Sequence, residues 1–282
     1  MLTPAAIDRV VRLALEEDAP WGDITSEALI PSDATATAEL VAREAGVFSG
    51  AGPFAAAFRI TDPAIAVDVS AAEGSRFAAG DRLARVTGPA RGVLCAERVA
   101  LNLAQRMSGI ASLTARYVDA IAGTHVRIVD TRKTTPGLRA LERHAVRSGG
   151  GHNHRFSLSD AVMAKDNHLA VVAGRSSITE ALREARARVA HTTHIEVEVD
   201  RLDQVEPVLA AGVDTIMLDN FSLDDLREGV RLVAGRAVVE ASGGVDLDTV
   251  SAIAATGVDV ISVGALTHSA RSIDLGLDIS VG

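Results

Sequence analysis

Lysine is nearly absent from this chain. Of 28 basic side chains 26 are arginine, and only Lys133 and Lys165 are lysine. A planar, permanently charged fork and a compact ammonium recognise different geometries, so a chain this biased keeps lysine where the fork does not fit. Both lysines stand in polar stretches that follow apolar runs, and those stretches read as ligand-binding loops. Cysteine is as scarce. The single Cys95 excludes an internal disulfide, and its neighbours Val93, Leu94 and Ala96 mark it as a small buried hydrophobe rather than a nucleophile. Long apolar runs are missing too: none approaches the roughly 20 residues a bilayer-spanning helix requires. No basic segment followed by an apolar stretch opens the chain, and a cytoplasmic location is expected.

What is present is a chain of 282 residues and 29.3 kDa with 48% hydrophobic and 23% charged side chains. That composition excludes disorder and allows one large domain or two ordinary ones. The net charge of −9 argues against a nucleic-acid or anionic-membrane partner. Its distribution is uneven: between Arg98 and His168 lie eleven Arg/Lys and five His against five Asp/Glu. A locally basic middle in an acidic protein suits a small, highly anionic ligand held in a pocket.

Near the start, Thr3 reads as an N-cap with Pro4 at the first helical position, and Ile7, Val10, Val11, Ala14 and Leu15 form one apolar face. Strand-like segments follow at 36–42 and 65–69 between Gly/Pro/Asp turns. A long Ala/Leu-rich helical stretch then runs over about 91–122, with a break expected near Gly109. Beyond it, short apolar runs at 126–129, 161–164, 195–199, 215–218, 237–239 and 258–263 alternate with amphipathic helices, one of which opens on the capping box Ser177-Ile178-Thr179-Glu180. Repeated strand-then-helix units predict parallel strands with right-handed crossovers. Arg132 and Lys133, Lys165, Glu198, Asp219, Ser242 and Gly264 all fall at or just past strand C-termini. A barrel spreads its active site over many strand ends, whereas an open sheet concentrates it at one switch point. Six or seven strands fall short of eight, so the expectation is α/β: an N-terminal α/β sandwich (1–107), an incomplete parallel α/β barrel (108–270), and a C-terminal segment (271–282) returning to the first domain.

Three groups of residues carry chemistry. In Ser242-Gly243-Gly244 and Gly264-Ala265, backbone N–H groups free of side chains can converge on an anion, and barrels of this class commonly bind phosphate at their last two loops. Glu196 and Glu198 share a strand face, and with Asp219 they place carboxylates toward an interior where an unpaired one is costly. A cation belongs near Glu198 and Asp219, and hard oxygen ligands beside a phosphorylated substrate suggest Mg2+ bound partly through that substrate. An ion pair with local arginines is the alternative. Arg132, Lys133, His154, Arg155 and Lys165 surround Gly149-Gly150-Gly151; converging on one cavity, they would repel each other without a polyanionic ligand. His152 and His168 suit orienting a neighbour or capping a helix, and no zinc-type spacing makes a metal site of His152, His154 and His168.

The stretches Asp130-Thr131-Arg132-Lys133-Thr134-Thr135-Pro136-Gly137-Leu138-Arg139, Gly149-Gly150-Gly151-His152-Asn153-His154-Arg155 and Lys165-Asp166-Asn167-His168 resemble the signatures of the quinolinate phosphoribosyltransferases. So do Gly22-Asp23-Ile24-Thr25, Ala96-Glu97-Arg98, Glu196-Val197-Glu198-Val199, Leu218-Asp219-Asn220, Ser242-Gly243-Gly244 and Val263-Gly264-Ala265-Leu266-Thr267-His268. The likeness runs in order along nearly the whole chain. It implies transfer of phosphoribosyl from phosphoribosyl pyrophosphate to quinolinate with loss of CO2, giving nicotinate mononucleotide in NAD biosynthesis, in a head-to-tail homodimer. By the same resemblance Arg132, His154, Arg155 and Lys165 hold the two substrate carboxylates, and Arg98 comes from the neighbouring subunit. Lys133 serves phosphoribosyl pyrophosphate, Glu198 and Asp219 its ribose and Mg2+, and Ser242, Gly243, Gly244, Gly264 and Ala265 its 5-phosphate. Lys133, Lys165, Glu198 and Asp219 then stand closest to the reaction. Three alternatives share parts of the pattern: a related transferase with another acceptor, a Schiff-base lyase using Lys165, and a noncatalytic dicarboxylate binder, which has no need of Glu198, Asp219 or the glycine loops.

Overall fold

The computed structural model describes residues 2–173 and 176–281. Its helices are α1 (Pro4–Asp18), α2 (Ile24–Leu29), α3 (Ala51–Thr61), α4 (Ala90–Ala120), α5 (Arg139–Ser148), α6 (Asp166–Ala173), α7 (Ile178–Arg188), α8 (Val205–Leu209), α9 (Leu223–Val233), α10 (Val250–Ala254) and α11 (Ala265–His268). The strands are β1 (Thr35–Ala42), β2 (Gly46–Val47), β3 (Ala66–Val69), β4 (Arg76–Phe77), β5 (Arg82–Pro89), β6 (Arg127–Val129), β7 (Val162–Ala164), β8 (Ile195–Val199), β9 (Thr215–Asp219), β10 (Val238–Ser242), β11 (Val260–Ser262) and β12 (Leu275–Val281). Among the described residues no helix is long and apolar enough to cross a membrane.

Two compact units result. The first takes residues up to Ala115, then Thr134–Gly150 and the segment from Leu266 onward; the second takes Arg116–Lys133 and Gly151–Ala265. The first unit is built on an antiparallel sheet of order β12-β1-β5-β3. Along β1 the residues Ala36, Ala38, Leu40 and Ala42 are buried in strict alternation, the period of a strand with one face in a core. Helix α1 starts as its cap demands, with the Thr3 hydroxyl accepting from Ala6 N–H and Pro4 in the first turn. It lies against α3, whose Phe54 and Phe58 rings meet edge to face at 5.1 Å. The last strand, β12, pairs antiparallel with β1 over Ala36–Ala42, and β5 flanks β1 on its other side.

Two features of this unit differ from what local pattern suggests. Thr134–Gly150, placed on sequence grounds within 108–270, belongs with the first unit. Its helix α5 buries Glu142, which accepts from both Arg106 Nε (3.2 Å) and Nη2 (2.8 Å) on α4 and from Thr135 N–H (3.0 Å). The break expected near Gly109 does not occur, because α4 is continuous from Ala90 to Ala120. Gly109 is a close-approach residue: a Cβ there would lie 2.0 Å from the Arg271 carbonyl oxygen.

The second unit is a six-stranded all-parallel sheet of order β6-β11-β10-β9-β8-β7, with helices in the connections. All six strands fall on the apolar runs picked out by pattern, and β6 and β7 are the two edges, as an incomplete α/β barrel requires. The Ser177–Glu180 capping box is present in both directions, hydroxyl to backbone and carboxylate to backbone. In this sheet one face of each strand carries the site: Met163 then Lys165 at β7, Glu196 and Glu198 on β8, Met217 and Asp219 on β9, Glu240 and Ser242 on β10, and Ser262 on β11. Parallel register sets these side by side, with Glu198 beside Met217, Met217 beside Glu240 and Asp219 beside Ser242.

Candidate active site

At the C-terminal ends of these strands lies a cavity of about 420 Å3, within the range of small-molecule sites. Arg132, Lys133, His154, Arg155, Lys165, Glu198, Asp219 and Ser242 line it, together with Thr131, Met163, Met217 and Ser262. Arg98, exposed on α4 in the first unit, and Gly243, Gly244, Gly264 and Ala265 are not among its lining residues. A larger cavity of about 650 Å3 shares Arg155 and Met163 and otherwise follows the edge strand β7 and helices α6 and α7, where its walls are mostly apolar. We assign the chemistry to the smaller one, because it gathers four cations, Arg132, Lys133, Arg155 and Lys165, with Glu198 and Asp219, whereas the larger has a single such pair, Arg155 and Asp160.

Asp130 organises the basic wall. Fully buried at the end of β6, it accepts from Asn153 Nδ2 at 2.5 Å and from the His154 backbone N–H at 2.8 Å. The main chain of His152 bridges β6, donating to Ile128 O at 2.8 Å and accepting from Asp130 N–H at 3.2 Å. This pins the loop carrying His154 and Arg155 to the strand that leads into Arg132 and Lys133. Arg155 is tied further by Nη1 to Ala161 O at 3.0 Å. Burial and then the neighbouring Arg132 charge depress the Arg155 guanidinium below its ordinary value. A guanidinium whose charge is disfavoured by burial and a like-charged neighbour marks a place where a bound anion is stabilising.

On the opposite wall Lys165 Nζ sits 2.7 Å from Glu198 Oε2, so the ion-pair partner of Glu198 is a lysine of the same site rather than a local arginine. His168 supports it from behind, its Nδ1 accepting from Lys165 N–H at 3.0 Å, which is a helix-start role at α6. Asp219 accepts from Asn220 Nδ2 at 2.7 Å. Asn220 holds φ 59°, and its backbone N–H donates to Ser242 O at 2.9 Å. Gly243, at φ 94°, packs against this turn so tightly that a Cβ would lie 2.2 Å from Asn220 Oδ1. No L side chain is easily accommodated there. The loop after β10 runs to α10 at Val250, so Ser242 to Gly244 present loop N–H groups rather than a helix N-terminus; Gly264 directly precedes α11.

Behind this wall lies a cluster that pattern alone did not bring together, and one member, Glu240, it did not assign. His154 Nε2 is 3.0 Å from Glu196 Oε2 and 3.6 Å from Glu240 Oε2, while its Nδ1 accepts from Arg155 N–H at 2.7 Å. Burial by itself lowers the proton affinity of the imidazole, but hydrogen bonds to the two glutamates outweigh it and raise the ring to about 10. That raised affinity favours a second ring proton, but it would fall on Nδ1 and displace the Arg155 N–H; the 2.7 Å hydrogen bond onto Nδ1 outweighs the electrostatic pull, and the geometry is that of the neutral ring with its proton on Nε2. Burial pushes the Glu240 carboxyl up, with the Glu196 charge adding and His154 opposing. Glu240 shares a strand face with Ser242 as Glu196 does with Glu198, and that two-residue period is the signal by which it could have been found.

Fold and cavity define the class: an α/β enzyme of incomplete-barrel architecture whose ligand is small and anionic. The N-terminal domain model of the quinolinate phosphoribosyl transferase family matches residues 23–108 and its C-terminal domain model matches residues 110–278. The chain belongs to that family. It is 44% identical over 278 residues to the nicotinate-nucleotide pyrophosphorylase [carboxylating] of Mycobacterium leprae, covering 95% of each chain. It is 42% identical to the probable nicotinate-nucleotide pyrophosphorylase [carboxylating] of Bacillus subtilis over 94% of this chain and 90% of that one. Among solved structures, NadC from Streptococcus pyogenes superposes with a TM-score of 0.95 at 42% identity, covering 100% of this chain and 99% of that one.

Proposed function

We propose that this chain transfers phosphoribosyl from phosphoribosyl pyrophosphate to the ring nitrogen of quinolinate with loss of CO2, forming nicotinate mononucleotide for NAD biosynthesis. One observation carries the reading: a single cavity gathers Arg132, Lys133, Arg155 and Lys165 with Glu198 and Asp219 at the ends of a parallel sheet. A noncatalytic dicarboxylate binder has no use for the carboxylate wall. In this reading Arg132, Arg155 and Lys165 hold the two substrate carboxylates with His154 beside them, and the diacid competes with Glu198 for Lys165. Lys133 meets the phosphoribosyl donor, Glu198 and Asp219 face its ribose, and Ser242, Gly243, Gly244, Gly264 and Ala265 frame its 5-phosphate.

Displacement at the anomeric carbon builds positive charge on the sugar as pyrophosphate leaves. The side chains therefore have to align the ring nitrogen, place carboxylates near the cationic sugar and exclude water; no side-chain nucleophile is needed. Once ribosylated, the ring nitrogen is cationic, and the electrons left by departing CO2 are stabilised beside it. The half-buried setting of Arg155 and Lys165 keeps the departing carboxylate poorly solvated. Glu198 and Asp219 offer hard oxygen donors that fit Mg2+. When bound, the ion would neutralise charge on the pyrophosphate. A head-to-tail homodimer, with Arg98 reaching the neighbouring site, and a cytoplasmic location complete the reading; the exposure of Arg98 on α4 supports the former. Incubation of purified protein with quinolinate, phosphoribosyl pyrophosphate and Mg2+ is expected to yield the mononucleotide, one pyrophosphate and one CO2 per turnover. Failure to form it with this acceptor while another acceptor is ribosylated would reject the assignment.

A further inference from the structure

We propose that Glu196 and Glu240 are positioning residues that hold the His154 ring so that its other nitrogen fixes the Arg155 main chain at the wall of the cavity. The inference rests on the reading above, in which Arg155 binds a substrate carboxylate.

Glu196 and Glu240 lie on β8 and β10, with β9 between them, and are only 4% and 3% exposed. Each keeps one carboxylate oxygen, Oε1, with no hydrogen-bond partner among the described residues, while each Oε2 is turned to His154. Two acids buried this deeply are costly unless what they grip matters. They grip the end of a relay. Nε2 of His154 donates to Glu196 Oε2, and Nδ1 accepts from the Arg155 backbone N–H at 2.7 Å. Arg155 in turn is held by Nη1 on Ala161 O. With Asp130 taking the His154 N–H, the segment from Asn153 to Arg155 is fixed by acids on β8 and β10 and just past the end of β6.

The same three side chains could be read as metal ligands, since the donor atoms of His154, Glu196 and Glu240 lie within 4.8 Å of one another. The tautomer decides against it. A nitrogen that accepts an N–H carries no proton, so the ring proton sits on Nε2, which leaves no lone pair there for a metal. Swapping the tautomer would set Nδ1–H against Arg155 N–H and release the relay.

Loss of the grip should therefore reach the substrate through Arg155. In Glu196→Leu and Glu240→Leu, which keep much of the volume but remove the acceptor, the KM for quinolinate is expected to rise about 10- to 100-fold, because misplacement near 1 Å costs on the order of 100-fold. The KM for phosphoribosyl pyrophosphate should stay within about twofold, a split that general loosening of the fold would not produce. In the wild-type protein, 15N-histidine spectra should show a protonated Nε2 and an unprotonated Nδ1 for His154, its signals being identified by their loss in His154→Gln. A proton on Nδ1 overturns the inference without any need for the glutamate variants to fold. So does an unchanged quinolinate KM in both variants, or stoichiometric metal in the purified protein that His154→Gln abolishes. Wild-type protein that does not turn over quinolinate instead sinks the functional reading itself.

Discussion

Replacing Gly109 by alanine sets helix propensity against packing, and the structure says which wins. In the middle of a helix, Gly→Ala is worth about 1 kcal/mol in favour of alanine. Here the new Cβ would stand 2.0 Å from the Arg271 carbonyl oxygen, 3.0 Å from its carbon and 3.2 Å from Ser272 Cα. Relief requires the 270–275 segment to move by more than about 1 Å to regain ordinary contact. That segment is strapped to α4 by Ile273 N–H to Gln105 O (3.1 Å), Gln105 Nε2 to Leu275 O (2.7 Å) and Arg106 Nη1 to Ala270 O (2.8 Å). Stretching three hydrogen bonds at roughly 1 kcal/mol each, with overpacking of about 1 to 3 kcal/mol, outweighs the propensity gain. The expected outcome of urea denaturation is a net loss of about 3 to 5 kcal/mol with an unchanged slope. A variant as stable as wild type, or more so, would refute the reasoning and show that the strap moves freely.

Lys165→Arg keeps the charge beside Glu198 but replaces a point donor by a longer fork; turnover should fall about 100-fold, and near-normal activity would show that charge alone matters there. Borohydride added during turnover should trap nothing on Lys165, and a covalent adduct would favour a Schiff-base mechanism. Quinolinate should be preferred over nicotinate by roughly 30-fold to several thousand-fold, the equivalent of about 2 to 5 kcal/mol for a buried charge left unmatched; comparable kcat/KM for the two acids would count against the basic wall. Arg98→Ala and Lys133→Ala proteins, each nearly inactive, should regain activity when mixed and allowed to exchange subunits, and no recovery despite proven exchange would reject a shared site. Glu73 is pulled down from 4.5 to about 2: burial raises it, but hydrogen bonds from His144, Gly50 and Ala51 prevail. A depressed folded-state value means stability that is present above pH 4.5 and is lost as pH falls toward 2. Discounted for partial exposure this amounts to roughly 1 to 2 kcal/mol. Glu73→Gln should flatten the pH dependence of urea stability in that window, and an unchanged slope would discount the cluster.

The alternation of apolar runs with amphipathic helices was enough to locate all six parallel strands, because strand and helix periods are local properties that survive without knowledge of partners. Polar residues where those runs end, from Arg132 and Lys133 to Ser242, were legible for the same reason, and the structure gathers most of them around one cavity. Other features depend on contacts between distant parts of the chain, which no local pattern records. The role of Gly109 appears only when the 270–275 segment lies across α4. Helix α5 joins the first unit because Glu142 meets Arg106. Glu240 lies two residues before Ser242 on the same strand face, and local pattern gives it no partner. What gives it a partner is the strand order β10-β9-β8, which brings it and Glu196 to the same imidazole. Sequence thus determined which residue types stand at the strand ends, and tertiary structure decided which of them meet, since burying a carboxylate becomes tolerable only where another strand supplies its donor.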